Sequence, residues 1–172
     1  MQSSANSIVT QRRLILIRHA KAVEEDVAGD HHRALSERGQ GDARALGVWL
    51  REQKLVPDLA LCSTANRTRQ TLAAITQNVA TILSDKLYLA SAGEMIAQIQ
   101  ATDDAVNTLM LVGHNPGAHS ILAALVGEYA DEADADRLLL KFPTSACAVM
   151  SLNTASWRDV EPEAARLELL RY

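Results

Sequence analysis

Four consecutive large aliphatic residues, Leu14-Ile15-Leu16-Ile17, run directly into Arg18 and His19. A short apolar run bounded by polar residues reads as a strand buried on both faces. The same pattern returns at Asp58–Cys62, which leads into Ser63-Thr64, and at Thr108–Gly113, which leads into His114-Asn115-Pro116-Gly117. Thr81–Leu83 is a shorter version, and Ser145–Leu152 and Arg166–Leu170 read as two final strands. Between the runs the apolar residues take up helical spacing. Ala43, Leu46 and Leu50 define a helix over 37–53 capped by Ser36. Gly39, Gly41 and Gly47 weaken it, since glycine is a poor helix former. Leu72, Ile75 and Val79 define a helix over 65–80, and Met95, Ile96 and Ile99 one over 93–101. Ile121, Leu122, Leu125 and Val126 form the stripe of a helix with Asn115 as N-cap and Pro116 at its first position. The acidic stretch Glu128–Asp136 reads as a solvated helix or loop. Strands alternating with helices predict an α/β fold in three layers, a mostly parallel central sheet with helices on both faces.

Ala20–Gly39 has no period at all. Connections of that length are uncommon in compact domains unless they are functional or disordered. This one leaves the carboxyl end of the first strand, so it is expected to face a substrate. At 172 residues the chain suits one domain, placed over 13–172, with residues 1–12 as a flexible N-terminal tail. Aromatics are only 3%, so Leu, Ile, Val and Ala must fill the core. A net charge of −4 without a long basic run argues against nucleic acid as a partner. Cys62 and Cys147 sit in apolar strand-like segments and read as reduced thiols rather than a disulfide framework. No apolar run approaches the ~20 residues needed to span a bilayer, so no membrane partner is expected. Arg12-Arg13 superficially suggests a twin-arginine signal, but the apolar run behind it is short and broken by Arg18. A cytoplasmic location is the expectation.

In open α/β sheets, ligands bind beyond the carboxyl ends of the strands. Three such exits carry Arg18-His19, Arg67 after Ser63-Thr64, and His114. Parallel strands bring all three to one edge. Arg67 and Arg69 stand in the first turn of a helix, where exposed cations oppose the dipole by ~0.3–1 kcal/mol each. An anion near that helix start would remove the conflict. Guanidinium groups bind phosphate oxygens bidentately and stay charged. One neutral imidazole can attack phosphorus while a second stabilises equatorial charge. No Walker-type glycine loop or GxSxG elbow competes, and the spacing of His31, His32 and Glu24–Asp26 is too irregular for a metal site.

Leu16-Ile17-Arg18-His19-Ala20 resembles the Arg-His-Gly signature of the histidine phosphatase (phosphoglycerate-mutase-like) superfamily, with alanine in place of glycine. Arg33–Gly39 resembles the Arg-x-Leu-Thr/Ser-x-x-Gly segment that follows, and Ser63–Thr71 the Ser-x-x-x-Arg-x-x-x-Thr segment. Val112–Pro116 is similar to the late Gly/Ser-His segment, and Phe142–Ala146 to one typical of the SixA branch. Five segments in order are far more specific than any one. The resemblance implies a phosphatase with His19 as nucleophile and a phosphohistidine enzyme intermediate. Arg18, Arg67 and His114 would hold the phosphoryl oxygens, and Arg33 would add a substrate-binding arginine. It implies no metal and no cofactor.

Many superfamily members carry an acidic general acid after the second arginine helix, but here Leu87–Glu94 lacks that pattern. Glu94 is the candidate substrate-binding acid there, against its reading as a helix-start residue favoured by the dipole. A missing strong acid suits a phosphoramidate, whose nitrogen is easily protonated. The short chain has no large insertion to form a lid, so the pocket should be open. The leading expectation is a SixA-type phosphatase acting on phosphohistidine in a protein. The alternatives are a phosphomonoesterase acting on a sugar phosphate or similar small molecule, and a non-catalytic phosphate-recognition module. A flavodoxin-like domain ranks last, because no glycine-rich phosphate loop follows the first strand.

Overall fold

The computed structural model describes residues 11–128 and 132–172. Its centre is a seven-stranded sheet of order β3-β2-β4-β1-β6-β7-β5. The strands are β1 (Gln11–Arg18), β2 (Leu59–Ser63), β3 (Ala80–Ser84), β4 (Thr108–Gly113), β5 (Val126–Glu128), β6 (Cys147–Asn153) and β7 (Ala165–Arg171). Helices α1 (Glu37–Glu52), α2 (Asn66–Ile75), α3 (Ala92–Gln100), α4 (Gly117–Leu125) and α5 (Glu132–Leu140) complete the fold. β1 pairs in parallel with β4, β4 with β2, and β2 with β3. β6 runs against both of its neighbours, β1 and β7. The sheet is therefore mostly parallel, as the alternating pattern predicts.

The aliphatic run of β1 feeds two cores at once. Successive strand side chains point to opposite faces. Leu14 and Leu16 join Leu109, Leu111, Met95, Ile99, Ile121 and Leu122 on the α3–α4 face. Ile15 and Ile17 join Leu46, Leu50, Ile75, Met110 and Val112 on the α1–α2 face. All four are fully buried, so β1 is clamped from both sides.

Several boundaries move for physical reasons. The strand includes Gln11 and Arg12, so a tail extending to residue 12 is too long; residues 1–10 lie outside the described ones. Arg12 is buried and donates to the carbonyls of Asp104, Val106 and Ala155. Helix α2 stops at Ile75 because Thr76 is extended, which leaves Val79 outside the helix, although it packs against the same core. Asn115 does not cap α4. Pro116 occupies the cap position, and the Asn115 side chain donates to the Phe142 carbonyl at 2.8 Å. The acidic stretch is helical from Glu132, and residues 129–131 lie outside the described ones.

Two glycines that weaken the helix prediction for α1 are explained by close approach. A Cβ at Gly39 would lie 1.9 Å from the Lys21 carbonyl oxygen, and one at Gly47 would lie 2.8 Å from that of Ile75. Ser36 caps α1 as expected, accepting from Gly39 N at 3.1 Å. The long connection after β1 is pinned by an Ala22–Leu35 bridge and carries a 3-10 turn at Asp30–His32.

Candidate active site

Register builds the site. Arg18 ends β1 opposite Gly113, the last residue of β4, so His19 and His114 leave adjacent strands side by side. Their ring centroids are 5.1 Å apart. β6 begins at Cys147 beside Ile17, so its antiparallel sense delivers the preceding segment to the same edge. There Ser145 N donates to the His19 carbonyl, Arg18 N donates to that of Ala146, and Arg18 Nη1 reaches the Phe142 carbonyl at 3.0 Å. A cavity of about 300 Å³ opens at this edge, lined by Arg18, His19, Asp30, Arg33, Arg67 and His114, with Lys21, Leu89 and Thr144 at its walls.

The two imidazoles are held neutral. His19 is only 8% exposed, and burial, with help from the Arg67, Arg18 and Arg33 guanidiniums, lowers its pKa to about 4. The Ala20 carbonyl 2.8 Å from Nδ1 works the other way. A carbonyl only accepts, so the proton is on Nδ1 and Nε2 carries the lone pair. His114 lies 2.8 Å through Nε2 from the Ser63 hydroxyl at the end of β2. Burial, followed by neighbouring His19 and Arg67, lowers its pKa to about 3.

Arg67 is buried in the first turn of α2. Its Nη1 donates to the Asp30 backbone carbonyl at 2.7 Å and its Nη2 to Asp30 Oδ2 at 3.0 Å. Its guanidinium also stands 5.9 Å from the centre of the Tyr88 ring. Arg33 grips the same aspartate through Nη2 at 2.8 Å from Oδ1 and donates through Nη1 to the Val23 carbonyl. The Nε groups of Arg18 and Arg67 and Nδ1 of His114 are buried without a protein partner. Each is a polar group whose burial is favourable only once it is hydrogen-bonded.

The structure thus brings Arg18, His19, Arg33, Arg67 and His114 together, but not Glu94. The Glu94 carboxylate accepts from both Ser91 N and Ser91 Oγ at 2.8 Å, closing a capping box at the start of α3. Those hydrogen bonds lower its pKa, and the residue is absent from the cavity lining. It is a helix-start residue. Arg38 pairs with Asp42 on the exposed side of α1, and Arg69 is exposed. His31 turns to Thr64 Oγ1 at 3.0 Å, and among the described residues no group of three or more His, Cys, Asp or Glu converges as a metal site.

Two residues of the site escape the sequence reading, Asp30 and Tyr88. Asp30 joins both guanidiniums and accepts from the Tyr88 hydroxyl at 2.5 Å. That hydrogen bond, with those from Arg33 and Arg67, holds the carboxyl well below the usual range against partial desolvation. The same contact raises the Tyr88 pKa. The available signal was an aspartate three residues before Arg33 in an unusually long loop. Nothing in the sequence distinguishes Tyr88.

An α/β sheet that gathers cations and neutral imidazoles at its strand ends defines an anion-handling enzyme of the phosphoryl-transfer kind. Residues 14–98 match the histidine phosphatase superfamily (branch 1), and the chain belongs to that family of phosphatases. A Mycobacterium tuberculosis (strain ATCC 25618 / H37Rv) relative, the uncharacterized protein Rv1276c, is 41% identical over 154 residues, covering 88% of this chain and 96% of its own. The structure of the proposed phosphohistidine phosphatase SixA from Nakamurella multipartitia is 33% identical, with a TM-score of 0.84 over 94% of this chain and 96% of that one. Its counterpart from Agrobacterium tumefaciens is 30% identical, with a TM-score of 0.78 over 94% and 98%. Within the superfamily the chain is of the SixA type. No helix among the described residues is long and apolar enough to cross a membrane.

Proposed function

We propose that the protein removes the phosphoryl group from phosphohistidine on another protein, with His19 as the nucleophile. The observation that carries the reading is the convergence of a lone-pair-bearing His19 Nε2 with Arg18, Arg67 and His114 in one small cavity. A neutral imidazole fixed by a strand end is a competent nucleophile without prior deprotonation. Its attack forms the Nε2–P bond as the substrate's P–N bond breaks. Water then attacks the phosphohistidine, releasing inorganic phosphate and restoring His19.

The other groups serve the charge on the phosphoryl oxygens. When Ser63 donates to His114 Nε2, the His114 proton lies on Nδ1, which has no protein partner and can donate to a phosphoryl oxygen. The unpartnered Nε groups of Arg18 and Arg67 supply charged donors of the same kind. Fixed donors of this sort act by positioning and by stabilising developing charge.

Among the described residues no protonated carboxylic acid lines the cavity, which favours the phosphoramidate. Asp30 is ionised and bound to two guanidiniums, and Glu94 is elsewhere. An alkyl phosphate needs a proton donated to its oxygen as it leaves. An imidazole leaving group can take its proton from solvent. Turnover of a phosphohistidine-bearing protein domain, measured beside a panel of small phosphomonoesters, tests the assignment. Preferential loss of phosphate from the protein is expected. Efficient hydrolysis of one small ester, with the phosphoprotein untouched, would overturn it in favour of a metabolite phosphatase.

A further inference from the structure

The cavity contains its own anion. Asp30 lines it beside His19 and His114, with a side chain about half exposed (46%). Its Oδ2 occupies Arg67 Nη2 at 3.0 Å and its Oδ1 occupies Arg33 Nη2 at 2.8 Å. The carboxylate is not loosely placed, since the Tyr88 hydroxyl donates to it, and that ring packs edge-on to His31 at 4.8 Å and to His114 at 5.6 Å. The Tyr88 hydroxyl, its ring held against His31 and His114, therefore aims the carboxylate at guanidiniums of a phosphate site.

We propose that Asp30 is a built-in competitor for the phosphoryl site, which weakens the hold on inorganic phosphate and so keeps product from blocking turnover. This rests on the reading of the cavity as the phosphoryl pocket. The alternative role for such a residue is purely structural, to hold Arg67 in place. Two features argue against that as its whole purpose. Arg67 is already buried, and its Nη1 is held by the Asp30 backbone carbonyl, which any residue at this position would retain. The charge adds repulsion toward a dianion that the backbone bond alone would not.

The two roles predict opposite signs. Asp30→Asn keeps the shape, and its amide oxygen can still accept from Arg67 or Tyr88, but the negative charge is gone. As a competitor, Asp30 should weaken phosphate binding, so the variant should bind it more tightly by about tenfold, a moderate figure for one charge at a half-exposed site. It should also slow at high phosphate. A structural anchor predicts weaker binding instead.

The experiment is a titration of inorganic phosphate into the wild type and Asp30→Asn, by calorimetry and by imidazole NMR shifts of His19 and His114. Inhibition of turnover by phosphate is measured alongside. A lower Kd and inhibition constant in Asp30→Asn, with both imidazole signals responding, is the expected result. Equal or weaker binding in a variant whose melting temperature is unchanged overturns the proposal while leaving the phosphoryl pocket intact. If Asp30→Asn is poorly folded, Tyr88→Phe supplies the second measurement. Freeing the carboxylate should tighten phosphate in the same direction by a smaller factor, and weaker or unchanged binding counts against it. No response of His19 or His114 to phosphate in the wild type would overturn both the pocket and the competitor.

Discussion

The two walls of the cavity are built in different ways. Arg18, His19 and His114 stand at the ends of strands clamped by two cores, and their backbone is fixed by the parallel ladder between β1 and β4. Asp30 and Arg33 stand on a connection held by side-chain ion pairs, a short bridge and scattered hydrogen bonds rather than by a continuous ladder. The strand wall holds the groups whose position decides the chemistry, because displacement of a reacting atom by about an ångström can cost on the order of 10²-fold. The loop wall holds charges that adjust binding, for which small displacements matter less. The strand wall is fixed by backbone pairing and buried packing, and the loop wall by side-chain contacts between charges.

The widest separation between the walls should appear in turnover. His19→Ala is expected to lower kcat by at least about 10⁴-fold, the scale seen when one member of a unit of acting groups is removed. It should also abolish the acid-labile phosphoenzyme in a rapid quench with labelled substrate. A phosphoenzyme that survives in this variant would remove the strand wall from the chemistry altogether. Arg67 belongs to α2 but reaches across to the loop, so it joins the two walls. Arg67→Ala is expected to cost about 10²–10³ in kcat, like loss of one charged donor to a developing oxyanion, and Arg33→Ala about tenfold, expressed mostly in KM. If Arg33→Ala proves the worse of the two, the loop wall is catalytic and the division drawn above is wrong.

Stability should divide along the same line. Leu16 is fully buried within the α3–α4 core. Leu16→Ala is expected to cost about 2–5 kcal/mol in denaturant unfolding, from lost transfer energy plus the cavity left behind. Leu89 lies at the mouth of the site and is 53% exposed. Leu89→Ala should stay within about 0.5 kcal/mol of wild type, as substitutions outside the core usually do. Comparable losses at the two positions would show that the loop side is packed more tightly than its contacts indicate.

This division also explains what could be read from the sequence. Strand ends are legible because a continuous aliphatic run has one structural solution, and the residue after it has one address. Arg18, His19 and His114 each follow such a run, and Arg67 follows Ser63-Thr64 at the end of another. The burial of β1 on both faces is legible too, since a continuous aliphatic run needs no tertiary information to show it. The loop wall was harder. Asp30 reaches Arg67 across 37 positions and Tyr88 across 58, and no periodicity encodes such contacts. Glu94 is legible as a helix-start residue from local sequence alone, because Ser91 three residues before it completes a capping box. Asn115 failed as a cap for the opposite reason, because a distant carbonyl at Phe142 claimed its side chain.

A further difference separates the walls by pH. His19 and His114 have ordinary values of 6.5 and folded values of about 4 and about 3, so the unfolded chain takes up protons first as pH falls. Their effect on stability is nil well above pH 6.5 and becomes a loss below it, growing until the folded imidazoles themselves protonate. Between pH 6.5 and 5.5 that amounts to about 1 kcal/mol for each histidine, since one unit of pKa difference corresponds to roughly 1.4 kcal/mol. A melting temperature several degrees lower at pH 5.5 follows for a chain of this size. Asp30 also has a depressed value, but from 3.8, so the stability it contributes is present above that pH and is lost only as pH falls below it. Mild acid therefore loads the strand wall alone, and strong acid adds the loop. A melting temperature that is flat from pH 6.5 to 5.5 would mean that the imidazoles are protonated as readily in the folded protein as in the unfolded one. In that case His19 could not hold its lone pair by burial, and the nucleophile would need another means of activation.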